Sequence, residues 1–197
     1  MLPIYPHDAN LTISMLYNHI YRMINTSGMQ RAPICHFQAD NAWKDCKNKY
    51  NLAFCALLIH AEIFQEIYFS MLPPGHTHEF QDSEFSVVKR AYRQRRTSVL
   101  SDFLNLANAA FAKNNKHRIS LDVLMFDWKT WLKTFIPSIT GHSAPHAFMF
   151  RKDSETNSVL MTYKNWWTDQ EVFHGSQQYP NGIEVNFPVI CYYCGVY

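Results

Sequence analysis

An excess of charge of either sign is missing from this chain: 18 Lys and Arg stand against 16 Asp and Glu in 197 residues, a formal net charge of +2. So slight an imbalance excludes nucleic-acid binding by bulk charge alone, and any basic partner surface has to be local. No apolar run approaches the roughly 18 residues that a membrane span needs. The opening Met1-Leu2-Pro3-Ile4-Tyr5-Pro6 lacks the charged and apolar regions of a signal peptide. Internal repeats and low-complexity tracts are absent as well. The cysteines, Cys35, Cys46, Cys55, Cys191 and Cys194, are odd in number and unevenly spaced. Three of them fall in apolar or helical stretches, where a reduced thiol packs as a small hydrophobe. Together these absences predict a soluble, intracellular chain without a membrane partner. What is present, 47% apolar residues including many aromatics, suffices to bury a core in a chain of this length.

Along the chain, Asn10 is suited to cap a helix beginning at Leu11, in which Ile13, Leu16, Ile20 and Met23 recur at helical spacing until Ser27-Gly28. After Pro33, the short alternating run Ile34-Cys35-His36-Phe37-Gln38-Ala39 predicts a strand ending at Asp40. A helix from about Trp43 to Glu62 follows, with Leu52, Ala56, Ile59 and Ile63 on its apolar face. Ile67 to Leu72 reads as a second strand closed by Pro73-Pro74-Gly75. A helix from about Ser83 to past Arg93 then carries Phe85, Val88 and Tyr92 on one side. Further helices are expected over Leu100 to Phe111 and Phe126 to Phe135, and a hairpin over Ala147 to Phe150 and Val159 to Tyr163, turning at Asp153 to Ser158. Helices alternating with strands argue for an α/β fold with parallel strands, in which sites form beyond the strands' carboxyl ends. A boundary near Gly141 is expected, dividing residues 1–140 from a β-rich extension, 141–197.

Both expected strand ends lead into chemistry-bearing residues. The first is followed by Asp40-Asn41 and then Lys47-Asn48-Lys49; the second by Gly75-His76-Thr77-His78-Glu79-Phe80-Gln81-Asp82. On these residues the chain resembles the uncharacterised transposase- or integrase-like domains of eukaryotic mobile elements, whose RNase H-like core is of the DDE type. The likeness extends more weakly through Phe148-Met149-Phe150-Arg151 and Tyr163-Lys164-Asn165-Trp166, roughly residues 10 to 167. It implies an RNase H-like three-layer fold lacking its first strands, with a helical and β-rich C-terminal extension. It also implies a carboxylate site that binds Mg²⁺ or Mn²⁺ for attack on DNA phosphodiesters. Asp40 would be the second carboxylate and Asp82 the third, with Glu79 in reserve should the helix start ahead of Ser83. The family's first Asp lies on an opening strand that the ten residues before Leu11 cannot hold, and Asp8 is the one acid there. The chain therefore reads as an N-terminally truncated segment or a degenerate copy. Catalysis by it is uncertain, and a homo-oligomer or another chain supplying the missing strands is a possible partner. A DNA-acting role implies the nucleus.

Each site residue has a structural alternative. Asp40 and Asp82 suit helix N-termini as caps or dipole partners. His76 and His78 form a His-x-His pair that either ligates a metal, contacts phosphate when charged, or is simply part of a loop. Lys89, Arg90, Arg93, Arg95 and Arg96 form the one basic cluster, either a phosphate-contacting or a solvated face; Lys89, Arg93 and Arg96 share a helical face, and Lys47 and Lys49 extend the surface. Cys191-Tyr192-Tyr193-Cys194 is half of a zinc knuckle without its second half, and His146 is too distant to complete it. Trp128, Trp131, Trp166 and Trp167 suit core packing better than stacking on bases. A second function follows from the same residues: a catalytically inactive nucleic-acid-binding or protein-interaction domain.

Overall fold

The computed structural model describes residues 8–26, 32–39, 47–73, 80–112, 124–135, 143–175 and 183–185. The chain divides into a sheet unit, Pro6–Leu72 with Leu124–Tyr197, and a helix-pair unit, Met1–Tyr5 with Pro73–Val123.

The sheet unit is α/β. Its elements in chain order are α1 (Ala9–Thr26), β1 (Ile34–Ala39), α2 (Lys49–His60) and β2 (Glu66–Met71), then, beyond the helix pair, a five-residue helix at Trp128–Leu132, β3 (Ala147–Lys152), β4 (Val159–Lys164) and β5 (Ile183–Val185). The strands lie in the order β1-β2-β3-β4-β5. β1 and β2 are parallel, joined through α2, and β2-β3, β3-β4 and β4-β5 are antiparallel. The expected boundary near Gly141 does not separate the hairpin from the first two strands. β2 has Ile67, Phe69 and Met71 buried on one face, and β3 completes its ladder on the side away from β1.

Alternation sorts each strand onto two faces. Cys35, Phe37, Ile67, Phe69, Phe148, Phe150, Val159 and Met161 turn toward the helices and join one core with Ile13, Ile20 and Leu132. α2 runs through its middle and is buried over nine consecutive residues, Asn51 to Ile59. A helix apolar all round must be covered all round, and α2 packs against α1, the Trp128–Leu132 helix and the sheet. It starts at Lys49 rather than near Trp43, because Asn48 caps it, its side chain accepting from the Tyr50 and Asn51 amides at 3.0 and 3.1 Å. α1 likewise takes Asp8 as its cap instead of Asn10: the Asp8 carboxylate accepts from the Asn10 and Leu11 amides. Asn10 is thereby released to accept from the Lys129 amide at 2.8 Å and to donate to Asp127.

The helix-pair unit contains α3 (Phe80–Gln94) and α4 (Leu100–Ala112); the Trp128–Leu132 helix is α5. Val88, Ala107 and Phe111 form its small core, flanked by Phe103. Of the apolar side expected for α3 only Val88 is buried; Phe85 is 71% exposed and Tyr92 meets Phe103 edge-on. No helix among the described residues is long and apolar enough to cross a membrane.

Candidate functional site

β1 and β2 run parallel in register from Ile34↔Glu66 to Ala39↔Met71, and the Leu72 amide donates to the Ala39 carbonyl at 2.9 Å. The two carboxyl ends therefore lie side by side, and the acid-bearing segments of the sequence follow them directly. Asp40, His76, His78 and Glu79 themselves lie outside the described residues. Asp82 is the third residue of α3, which begins at Phe80, earlier than expected, so Glu79 immediately precedes the helix. Asp40 does not cap α2, since Asn48 fills that position. Asp8, the one acid ahead of the first helix, is engaged as the α1 cap and in an ion pair with Lys129 at 3.1 Å.

Two groups not assigned to a site from sequence, His146 and Trp166, lie at this end of the sheet with Lys47. The Met71 amide donates to the His146 carbonyl, and the His146 amide to Asn165, each at 2.8 Å. The His146 ring stacks on Trp166 with centroids 3.8 Å apart. Lys47, expected on a phosphate-binding surface, is only 3% exposed and donates from Nζ to the Ser143 carbonyl. Burial lowers its pKa, and burial followed by the Lys47 charge lowers that of His146. Lys49, the first residue of α2, sets its Nζ 5.1 Å from the Tyr50 ring centroid. The pairing of β2 with β3 brings His146 here, a contact no local pattern reveals.

The basic cluster is displayed. Lys89, Arg90, Arg93 and Arg96 are exposed and make no ion pair with any described residue. α3 ends at Gln94, so Arg96 follows the helix instead of continuing the face of Lys89 and Arg93. Among the described residues no group of three or more His, Cys, Asp or Glu could hold a metal ion. Cys35 and Cys55 are free thiols, both pushed up by burial, Cys55 the further. Cys46, Cys191 and Cys194 lie outside the described residues.

On the sheet face turned away from α2, His36, Tyr68, Met149 and Thr162 form one row across four strands, and Gln38, Ser70, Ala147 and Lys164 the next. His36 stacks on Tyr68 at 4.8 Å and 17°. Trp167 stands across both rings, at 86° to His36 and 78° to Tyr68. Lys164, buried, donates to the Asp169 carbonyl at 3.0 Å and lies 5.4 and 5.1 Å from the Trp167 and Phe173 centroids. The Tyr68 hydroxyl donates to Glu66 at 2.8 Å. Its pKa is raised, first by burial and then by that bond.

Fold and strand ends define an α/β protein with a mixed sheet whose parallel pair offers its carboxyl ends to the segments that follow. The chain belongs to the family described as Domain of unknown function (DUF7869), whose model matches residues 1–169. No curated protein and no solved structure matches it.

Proposed function

We propose that this chain is a segment of an RNase H-like core of the DDE transposase or integrase type, acting on DNA phosphodiesters with Mg²⁺ or Mn²⁺. The observation that carries the reading is the parallel register of β1 and β2, whose adjacent carboxyl ends lead into Asp40 on one side and the Gly75 to Asp82 segment on the other. Asp40 and Asp82, with Glu79 as the fallback third carboxylate, would hold the metal through carboxylate oxygens, the hard donors that Mg²⁺ and Mn²⁺ prefer over thiolate or imidazole. Bound there, the metal supplies charge stabilisation and an activated oxygen nucleophile. His76 and His78, on either side of Thr77 in that segment, would face the DNA, and Lys89, Arg90, Arg93 and Arg96 supply phosphate contacts that carry no sequence information.

The first carboxylate of such a core is supplied from a strand other than those described. β1 has β2 on one side and no described strand on the other. A strand joining that edge parallel to β1, from a second copy or another chain, would bring its carboxyl end beside Asp40. A DNA-acting chain of this kind works in the nucleus. The exposed cations of α3 also favour a second reading, DNA binding without catalysis.

Calorimetric titration of Mn²⁺ into the folded chain and into Asp40→Asn/Asp82→Asn, paired with nicking of supercoiled DNA, separates the two. The catalytic reading expects binding and nicking that the double variant loses, with unchanged circular dichroism. A folded wild-type chain that takes up no Mn²⁺ sinks it and leaves the second.

A further inference from the structure

The rings on the outer face of the sheet form an open corner. β1 is an edge strand among the described residues, so His36 has Tyr68 against one face of its imidazole and is exposed on the other side. Trp167 rises as a wall at 86° to that ring and remains 43% exposed. Gln38, two residues further along the same face, is also exposed and offers an amide that both donates and accepts. Behind the wall, Lys164 has a carbonyl and two ring faces around its ammonium, and no described carboxylate pairs with it.

We infer that this corner takes one unpaired base of a single-stranded nucleic acid, stacked on His36, walled by Trp167 and contacted at its edge by Gln38. The chemistry fits on three counts. An exposed planar ring beside a perpendicular indole presents a π-face on which a base can stack, and such stacking tolerates any sequence. The exposed Gln38 amide on the same sheet face suits the donor and acceptor pattern of a base edge. The Lys164 charge behind the indole, paired with no described carboxylate, complements a phosphate-bearing polymer, whereas a neutral apolar ligand would gain nothing from it.

This inference rests on the reading of the chain as a DNA-acting domain and deepens it. His36 lies three residues before the carboxyl end of β1, about 10 Å at strand rise. A strand anchored there reaches the proposed carboxylates within about three nucleotides at a helical rise of ~3.4 Å. The corner would then hold a displaced or frayed strand in step with the phosphate to be attacked.

The test is fluorescence anisotropy with a labelled short oligothymidylate, an abasic oligomer of equal length and a duplex, all in EDTA so that metal plays no part. Wild type is expected to bind the base-bearing single strand more tightly than the abasic one. His36→Ala should lose roughly 5- to 150-fold, the span of ~1–3 kcal/mol per stacked base, and His36→Phe should restore it. Because stacking releases no counterions, the slope of log K against log salt should stay the same in His36→Ala. Trp167→Leu, with circular dichroism to show it folded, should weaken binding in the same base-dependent way. Equal affinity for abasic and base-bearing strands overturns the inference, as does a His36→Ala variant that binds like wild type. Cleavage is assayed separately with Mn²⁺: base-dependent binding without cleavage supports the corner and removes only the catalytic reading.

Discussion

Single side chains close the turns and joints of the sheet unit, and two of them make measurable claims. Asp153 accepts from the Thr156 amide at 2.8 Å, the Glu155 amide at 3.0 Å and the Thr156 hydroxyl at 3.0 Å, which closes the turn between β3 and β4. Those donors, the Thr156 amide foremost, hold its pKa below the usual carboxylate value. A depressed carboxylate stabilises the fold fully above its unfolded pKa of ~3.9, and that stabilisation drains as pH falls through the lower folded value. The gap in urea midpoint between wild type and Asp153→Asn should therefore stay level from about pH 7 to about pH 5 and shrink below about pH 4. Ser14, 1% exposed, has its hydroxyl oxygen accept from both the Phe126 amide and the Trp128 indole at 3.1 Å. Ser14→Ala orphans two donors between α1 and α5 and should cost ~1–3 kcal/mol in urea unfolding. The Asp153 turn is local, but the role of Ser14 does not follow from local sequence, since its partners lie more than a hundred residues away.

Helices and strands were legible where periodicity and burial agree, as in β1, β2, the β3–β4 hairpin and α4. They were misread where a polar residue competed to cap. Lys47-Asn48-Lys49 looked like the basic first turns of a longer helix, yet Asn48 is the residue whose side chain can satisfy two amides at once. Asn48→Ala should lower stability by about 1 kcal/mol, with Asn48→Asp close to wild type; thermal melts of the pair check it, and equal melts would show that tertiary packing alone sets where α2 begins. α3 shows the reverse error: Phe85, Val88 and Tyr92 are spaced as one stripe, but α4 is its one described packing partner and covers only Val88 well. β5 is three residues long and was not expected, because so short a strand exists only by pairing with β4.

For the molecule as a whole, strand order decides which residues become neighbours. The strand ends leading to Asp40 and to His76 could be read in sequence from Pro, Gly and the apolar runs before them. The His36, Tyr68 and Trp167 corner could not, because it needs the β1–β2 register and the return of the chain after β4 across the outer face. The formal charge of +2 is too small to hold DNA from every side, so the duplex phosphate contacts of the proposed DNA binding should reside on α3 and the residues after it. Arg93→Ala with Arg96→Ala should flatten the slope of log K against log salt by about 0.9 for each duplex phosphate that the variant no longer neutralises; an unchanged slope removes these residues from the interface.

The pairing of β2 with β3 joins residues about eighty positions apart, such as Ile67 and Phe150, with the helix pair between them in sequence. Closing a loop of that length costs roughly 4 kcal/mol of chain entropy. The β1–α2–β2 crossover and the β3–β4 hairpin are local and can organise first, while their union has to wait. During synthesis, the apolar flank of β2 therefore stands open until Ala147 to Lys152 has emerged. An unpaired strand edge left waiting in this way is open to pairing with another chain, so misassembly is the hazard of that interval.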